Sequence, residues 1–250
     1  MATKQTYYGV GKVYLAAYGG LLPLLFVGNC SQLDLAPEEN EQSIQDFTSL
    51  GGGKYDSVRR VAGVGLTITQ WDLSAANLAR HLRGTASTLA AATITGETHT
   101  AQVGGLIELA RLPNPAVAMT VTGTGGTPVY VAGTDYERTP AGIVILEGGT
   151  LDDDDPLVIG YGALATDVVQ ALTQADGNFR LVFEGLNEAE SGSPVIVRCH
   201  RVKFGPLQTL PLIGEGFASI TIAGDVLRDT SITGAGLSPY FTVERALAAA

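Results

Sequence analysis

Cysteine is scarce in this chain. Its 250 residues include two, Cys30 and Cys199, which is no framework of paired bridges. Free buried thiols and a reducing compartment are the expectation. Positive charge is also scarce: 15 Lys and Arg stand against 25 Asp and Glu, for a net charge of −10. Coating DNA needs clustered cations that displace counterions, so that role is excluded, whereas a surface that repels DNA is not. Long apolar runs are missing. Residues 13–27 come nearest, but Gly19, Gly20 and Pro23 interrupt them and no clean small-x-small cleavage site follows. They suit neither a membrane span nor an export signal, which leaves synthesis in the cytoplasm without membrane insertion.

Linear signs of chemistry are missing as well. His81, His99 and His200 have no ligand spacing with cysteine or with one another. His200 is adjacent to Cys199 in an extended run, so the two side chains point to opposite faces. No G-x-S-x-G elbow occurs. Gly51-Gly52-Gly53-Lys54 is followed by Tyr55 rather than Ser or Thr, so it is not a phosphate loop. Asp152 to Asp155 lack the alternating oxygens, the sixth-position glycine and the distal Glu of a calcium loop, and read as a solvated turn. The expectation is no enzyme, no metal and no cofactor.

What is present is punctuation and alternation. The chain has 32 Gly, 11 Pro and 45% hydrophobic residues, the pattern of a globular, mainly β protein with many turns. Residues 193–227 hold two long extended runs around a connector at 205–214. In the second, Ile220, Ile222 and Val226 share one parity, and Ser219, Thr221 and Asp225 the other, the period of a half-buried strand. In the first, Val195, Val197 and Cys199 share a parity that shifts to Val202 and Phe204, which predicts a bulge near His200 and Arg201. Consecutive runs of this kind pair antiparallel.

Strands are also expected at 8–17, at 24–27 as a fully buried strand that continues toward Leu33 and Leu35, and at 64–69, where Val64, Leu66 and Ile68 alternate with Gly65, Thr67 and Thr69. Pro37 is expected to end the strand before it. The polar stretch from Glu38 to Asp46, with residues 42–48 as partner to the 64–69 strand, forms an arm with a flexible glycine tip at 50–55. A helix is expected over 72–84, capped by Asp72 or Ser74, stopped by Gly84 and apolar along Ala75, Leu78, Ala79 and Leu82. Trp71 is assigned to the core beside it. Residues 85–100 are weakly patterned. Short strands follow at 106–111, 116–121, 129–131, 143–146, 157–161, 168–172 and 179–186, with an Ala-rich end that frays.

The phrases GVGKVYLAAY, PLLFVGNCSQLDL, VGLTITQWDLSAANLARHL, FRLVFEGLNEAESGSPVIVRCHRVKF, FASITIAGDVLRD and LSPYF occur in this order. In that order of elements the chain resembles the tail tube (major tail) proteins of long-tailed bacteriophages, over nearly all of residues 1–250. A β-rich elaboration at about 113–161 is inserted in it. The resemblance implies two packed antiparallel sheets, as a sandwich or partial barrel, with one flanking helix and a long arm. It implies a virion protein whose hexameric rings stack into a hollow tube. That tube conducts genomic DNA and houses the tape-measure protein, and it meets tail terminator and distal tail proteins at its ends. The arm residues Glu38, Glu39, Glu41, Leu50, Gly51, Gly52, Gly53, Lys54 and Tyr55 match the segment that reaches the adjacent ring. Candidate lumen-facing residues are Thr67, Thr69, Ser219, Thr221 and Asp225: small or polar, and beside an acidic surface that lets DNA slide. The inner tube of a contractile tail or secretion device is the nearest alternative. A β-rich carbohydrate-binding or adhesion module is another, disfavoured because the 7% of aromatic residues are spread through strands rather than clustered.

Overall fold

The computed structural model describes residues 6–246. The protein is mainly β, 51% strand and 4% helix, with several antiparallel sheets and one α-helix. In chain order the elements are β1 (Gly9–Ala17), β2 (Leu25–Phe26), β3 (Cys30–Gln45), β4 (Lys54–Gln70), α1 (Ala75–His81), β5 (Thr85–Leu89), β6 (Ala92–Thr100), β7 (Leu106–Glu108), β8 (Thr120–Gly123), β9 (Val129–Tyr130), β10 (Tyr136–Arg138), β11 (Gly142–Ile145), β12 (Pro156–Ala163), β13 (Thr166–Gln170), β14 (Asn178–Asn187), β15 (Ser193–Phe204), β16 (Ile220–Val226) and β17 (Phe241–Arg245). They fall into two compact units, one made of the chain up to Thr85 and from Val169 onward, the other of Ala86–Val168. The inserted unit is therefore wider than 113–161. The 85–100 stretch, weakly patterned in sequence, forms β5 and the whole of β6. The Ala-rich end at 247–250 lies outside the described residues.

The first unit is one eight-stranded sheet in the order β2-β1-β14-β15-β16-β4-β3, with β17 added on β15. Hydrogen bonds thus join into one sheet the strands of this unit, where the resemblance implies two packed sheets. A single core cluster takes Val13 and Leu15 from β1, Leu66 and Ile68 from β4, Leu181 from β14, and Ile220 and Ile222 from β16. Leu73 and Leu78, beside and on the helix, and Leu207 and Leu210, after β15, pack against the same core. β15 is the branch point of the sheet. One edge of it pairs with β14; the other pairs with β17 through residues 195–199 and with β16 through residues 202–204. Between these stretches Leu181 faces Cys199 and Phe179 faces Val202, so His200 and Arg201 share Arg180 as partner. This is the bulge expected from the parity shift. It turns both Cys199 and Val202 into the core, each fully buried.

Several local expectations are corrected. Leu25 and Phe26 are exposed, and β2 is two residues long; of that segment only Val27 reaches the core. Pro37 does not end β3, which continues through it to Gln45. The strand is the sheet's edge, where a missing N–H costs no ladder bond. Trp71 is 39% exposed rather than a core residue.

The helix is capped by Ser74, whose Oγ accepts the Asn77 N–H at 3.3 Å. It ends before Gly84. Arg83 takes the left-handed conformation (φ 48°), and the Gly84 N–H bonds back to the Ala79 carbonyl at 2.7 Å. Its buried side chains are Ala79 and two polar residues, Asn77 and His81. His81 Nε2 donates to Gln70 Oε1 at 2.8 Å, Gln70 donates to the Val27 carbonyl, and Asn77 Nδ2 donates to the same carbonyl at 2.8 Å. Buried polar groups need such partners. Burial, helped by the Arg80 charge, pushes the His81 pKa down to about 4.

The second unit has its own core of Val121, Tyr136, Ile143, Ile145, Leu157 and Ile159, between the sheets β6-β12-β8-β9 and β10-β11-β7. Glu97 pins its strands: Tyr161 Oη, the Ala110 N–H and His99 Nε2 donate to it at 2.7, 2.9 and 2.8 Å. The turn at Asp152–Asp155 is tied down by its carboxylates, with Asp153 Oδ1 accepting the Val103 N–H at 2.7 Å.

Candidate functional site

The β3–β4 hairpin carries both sets of residues singled out in sequence. Its ladder runs from Cys30 opposite Gln70 to Gln45 opposite Lys54. The whole of β3, not only residues 42–48, is the partner of β4. Beyond Pro37 the ribbon leaves the core, and residues 37–45 and 54–62 are all exposed. Glu38, Glu39 and Glu41 lie on the outgoing strand, Leu50 to Gly53 in the tip, and Lys54 and Tyr55 at the start of the returning strand.

The tip is a built turn. Gly51, Gly52 and Gly53 all have positive φ (107°, 63° and 144°), backbone that side chains with a Cβ rarely adopt. Asp46 holds it from inside: its carboxylate accepts the Thr48 N–H at 2.7 Å and the Thr48 and Ser49 hydroxyls at 2.6 Å each, and its N–H donates to the Gly53 carbonyl at 2.7 Å. The hydroxyl bonds of Ser49 and Thr48, with the Thr48 N–H, draw its pKa down to about 2. Across the ribbon Glu41 is bridged to Lys54 and lies 3.5 Å from Arg59, and the Lys54 hydrogen bond holds its carboxyl below the ordinary range. Apolar groups are interleaved with these charges: Ile44, Phe47, Leu50, Tyr55, Val58 and Val61 are all exposed.

The second set gathers on the outer face of the sheet. Thr69 is opposite both Gln32 and Thr221, Thr67 opposite Asp34 and Ala223, and Gly65 opposite Ala36 and Asp225. Thr69 Oγ1 is 3.0 Å from both Gln32 Oε1 and Thr221 Oγ1, and Gln32 Nε2 donates to Asp34 Oδ2 at 2.6 Å. Thr221 and Asp225 are exposed, whereas Thr67, Thr69 and Ser219 are half-buried. Ser219 precedes β16 and sits beside Gln208, Thr209 and Pro211 of the connector. Asp34 and Asp225 place acids on this face, and Glu38, paired with Gly63, adds another where the arm begins. Asp34 was not singled out in sequence, although its alternation with Leu33 and Leu35 carried the signal. The opposite face of the same strands is core.

Cys30 and Cys199 are both free thiols. Burial pushes Cys199 up to about 12 and, with the nearby Asp72 charge, Cys30 up to about 11, so neither is a nucleophile at neutral pH. Among the described residues no group of three or more His, Cys, Asp or Glu side chains is placed to hold a metal ion, and no helix is long and apolar enough to cross a membrane.

These features define a mainly β protein with a projecting two-stranded arm and a polar sheet face. A family model described as "Protein of unknown function UCP028589" matches residues 6–244, and the chain belongs to that family. No curated protein matches it.

Proposed function

We propose that this chain is the structural subunit of a phage tail tube: it closes into hexameric rings, the rings stack, and the hollow interior holds the tape-measure protein and passes DNA. One observation carries the reading. No residue of the outer half of the β3–β4 hairpin, 37–45 and 54–62, is buried within its own chain, and a two-stranded ribbon alone in water is marginal. Its natural partner is another copy, which also covers the open edge of β3. Two further observations support it. The polar face of Gln32, Asp34, Thr67, Thr69, Thr221 and Asp225 suits a wall past which an anionic polymer slides rather than sticks. The most exposed large apolar side chains all lie in the first unit: Leu21, Phe47, Leu50, Ile213 and Phe217 are each at least 88% exposed, while none in the second unit exceeds 65% among the described residues. Apolar exposure of that extent marks an interaction surface.

Electron microscopy of the purified protein at high concentration tests the reading. Hollow tubes of stacked rings are the expected result. A species that stays monomeric, even with tail connector proteins added, overturns it.

A further inference from the structure

A polar pocket of about 420 Å³ opens in the first unit beside the bulge of β15. Tyr18, Arg180, His200, Asp229 and Ser231 are on its wall. The bulge gathers the basic side chains, because His200 and Arg201 both lie opposite Arg180, and a bulge re-aims side chains in this way. His200 Nε2 is buried without a hydrogen-bond partner, and so is Arg201 Nε. The Arg201 guanidinium lies over the Tyr18 ring, 5.4 Å from its centroid. Among the described residues neither Arg180 nor Arg201 is in an ion pair. The acid of the pocket is Asp229, which is buried. Its Oδ1 accepts the Ser231 hydroxyl at 2.6 Å, and the Ser231 N–H and Tyr18 hydroxyl at 3.0 Å each. The Ser231 bonds, with that of Tyr18, hold its pKa below the ordinary carboxylate range, so it is charged. All three donors bond to Oδ1, which leaves Oδ2 as an acceptor without a partner among the described residues.

The pocket therefore combines unpaired basic donors with one unpaired acceptor, and buried polar groups left so are costly. A ligand that satisfies both must accept from the basic side and donate to the acid. Free phosphate does both, since it is an anion that keeps at least one proton at neutral pH. Sulfate has no proton to donate, and neither has the phosphodiester backbone of a nucleic acid. A phosphate monoester loses its last proton near pH ~6. We infer that this pocket binds inorganic phosphate, whose oxygens accept from Arg180 and His200 and whose hydroxyl donates to Asp229. Hydrogen bonds of this kind, with both partners charged, are the strong ones. The Asp229 carboxylate repels a phosphodiester, so the site agrees with a protein past which DNA slides. It stands whether or not the chain forms tubes.

Isothermal titration calorimetry of the full chain tests this at neutral pH, with inorganic phosphate, sulfate and glycerol phosphate as probes in a buffer free of other oxyanions. Phosphate is expected to bind with a Kd of about 1 mM or below, and the other two at least about tenfold more weakly. Arg180 is exposed, so Arg180→Ala keeps the denaturation midpoint of the wild type. It should weaken phosphate binding about tenfold to a hundredfold, the scale of a hydrogen bond to a charged group. Asp229→Asn keeps an Oδ1 acceptor for Ser231 and Tyr18 and puts a donor where Oδ2 was. That variant should bind sulfate at least as well as phosphate, a reversal that a merely structural role for Asp229 would not produce. If the wild type gives no binding at about 10 mM phosphate, water alone fills the pocket and the inference is overturned. If the wild type binds phosphate and sulfate alike, Asp229 selects nothing and the inference is overturned. If Arg180→Ala binds phosphate like the wild type, the ion sits elsewhere and the inference is again overturned.

Discussion

The inner and outer halves of the β3–β4 hairpin share one backbone ladder and have opposite surroundings. In the inner half, Leu33, Leu35, Leu66 and Ile68 lie against the core and the reverse face is polar. In the outer half both faces are exposed. Strand pairing alone therefore shapes the arm, while burial of about 25 cal/mol per Å² of apolar surface stabilises only the inner half. In the proposed reading, another copy completes the arm.

The largest expected effect separates the two halves along a single strand. Leu66 is 2% exposed, and Leu66→Ala leaves a cavity costing about 2–5 kcal/mol, read as a lower urea midpoint. Val58→Ala, eight residues earlier in β4, leaves that midpoint unchanged within ~0.5 kcal/mol but raises the concentration at which the protein assembles. Equal effects on stability would show that the arm is part of the core.

The inner half is also anchored by a group that titrates. Gln70, at the end of β4, accepts a hydrogen bond from buried His81, whose pKa lies at about 4 against an ordinary 6.5. Between those values the unfolded chain binds the proton and the folded chain does not. Stability is therefore full above pH ~6.5, falls as pH drops toward ~4 and levels off below it, a change on the order of 3 kcal/mol. Urea unfolding across this range, wild type against His81→Gln, checks the sign. The substituted chain loses this slope. A slope of the same size in both chains assigns it to other groups.

Glycine substitutions sharpen the contrast at smaller scale. A Cβ on Gly224 of β16 would sit 2.6 Å from the Lys203 carbonyl oxygen, whereas one on Gly63, where the arm leaves the body, meets nothing within 4 Å. Gly224→Ala is expected to cost about 1–3 kcal/mol. Gly63→Ala is expected to stabilise by about 0.4–1 kcal/mol, because the unfolded chain loses freedom. Thermal melts of the two variants should move in opposite directions.

The same contrast explains what the sequence makes legible. Where one face is buried, period two appears, and residues 64–69 of β4, β16 and the bulge at His200 and Arg201 follow from parity. The arm is legible from its polarity and three tip glycines. β5 is exposed along its length, and the half-buried residues of β6 are Ile94, Glu97 and His99, which follow no period of two in apolar side chains. Pro37 reads as a terminator because edge position is a tertiary fact. The helix hides its buried face because that face includes Asn77 and His81, partners of a carbonyl and an amide distant in sequence. The gathering of Gln32, Asp34, Thr69 and Thr221 depends on β16 pairing with β4 across some 150 intervening residues, as the spacing of Thr69 and Thr221 shows.

The smallest effect expected is that of Lys54→Ala. Lys54 and Arg59 are the cations beside Glu41 across the arm, and all three side chains are open to solvent and to salt. The thermal midpoint should not move at 0.15 M salt. Amide exchange gives the sharper reading: in the unassembled protein the arm's amides should exchange far faster than those of Leu66 to Ile68, with or without Lys54, and in assembled protein they should slow in both. Surface ion pairs would then orient the ribbon without holding it, and protection would arrive with the partner. If the unassembled arm is already as protected as the core of β4, the ribbon stands on its own contacts and the need for a second copy disappears.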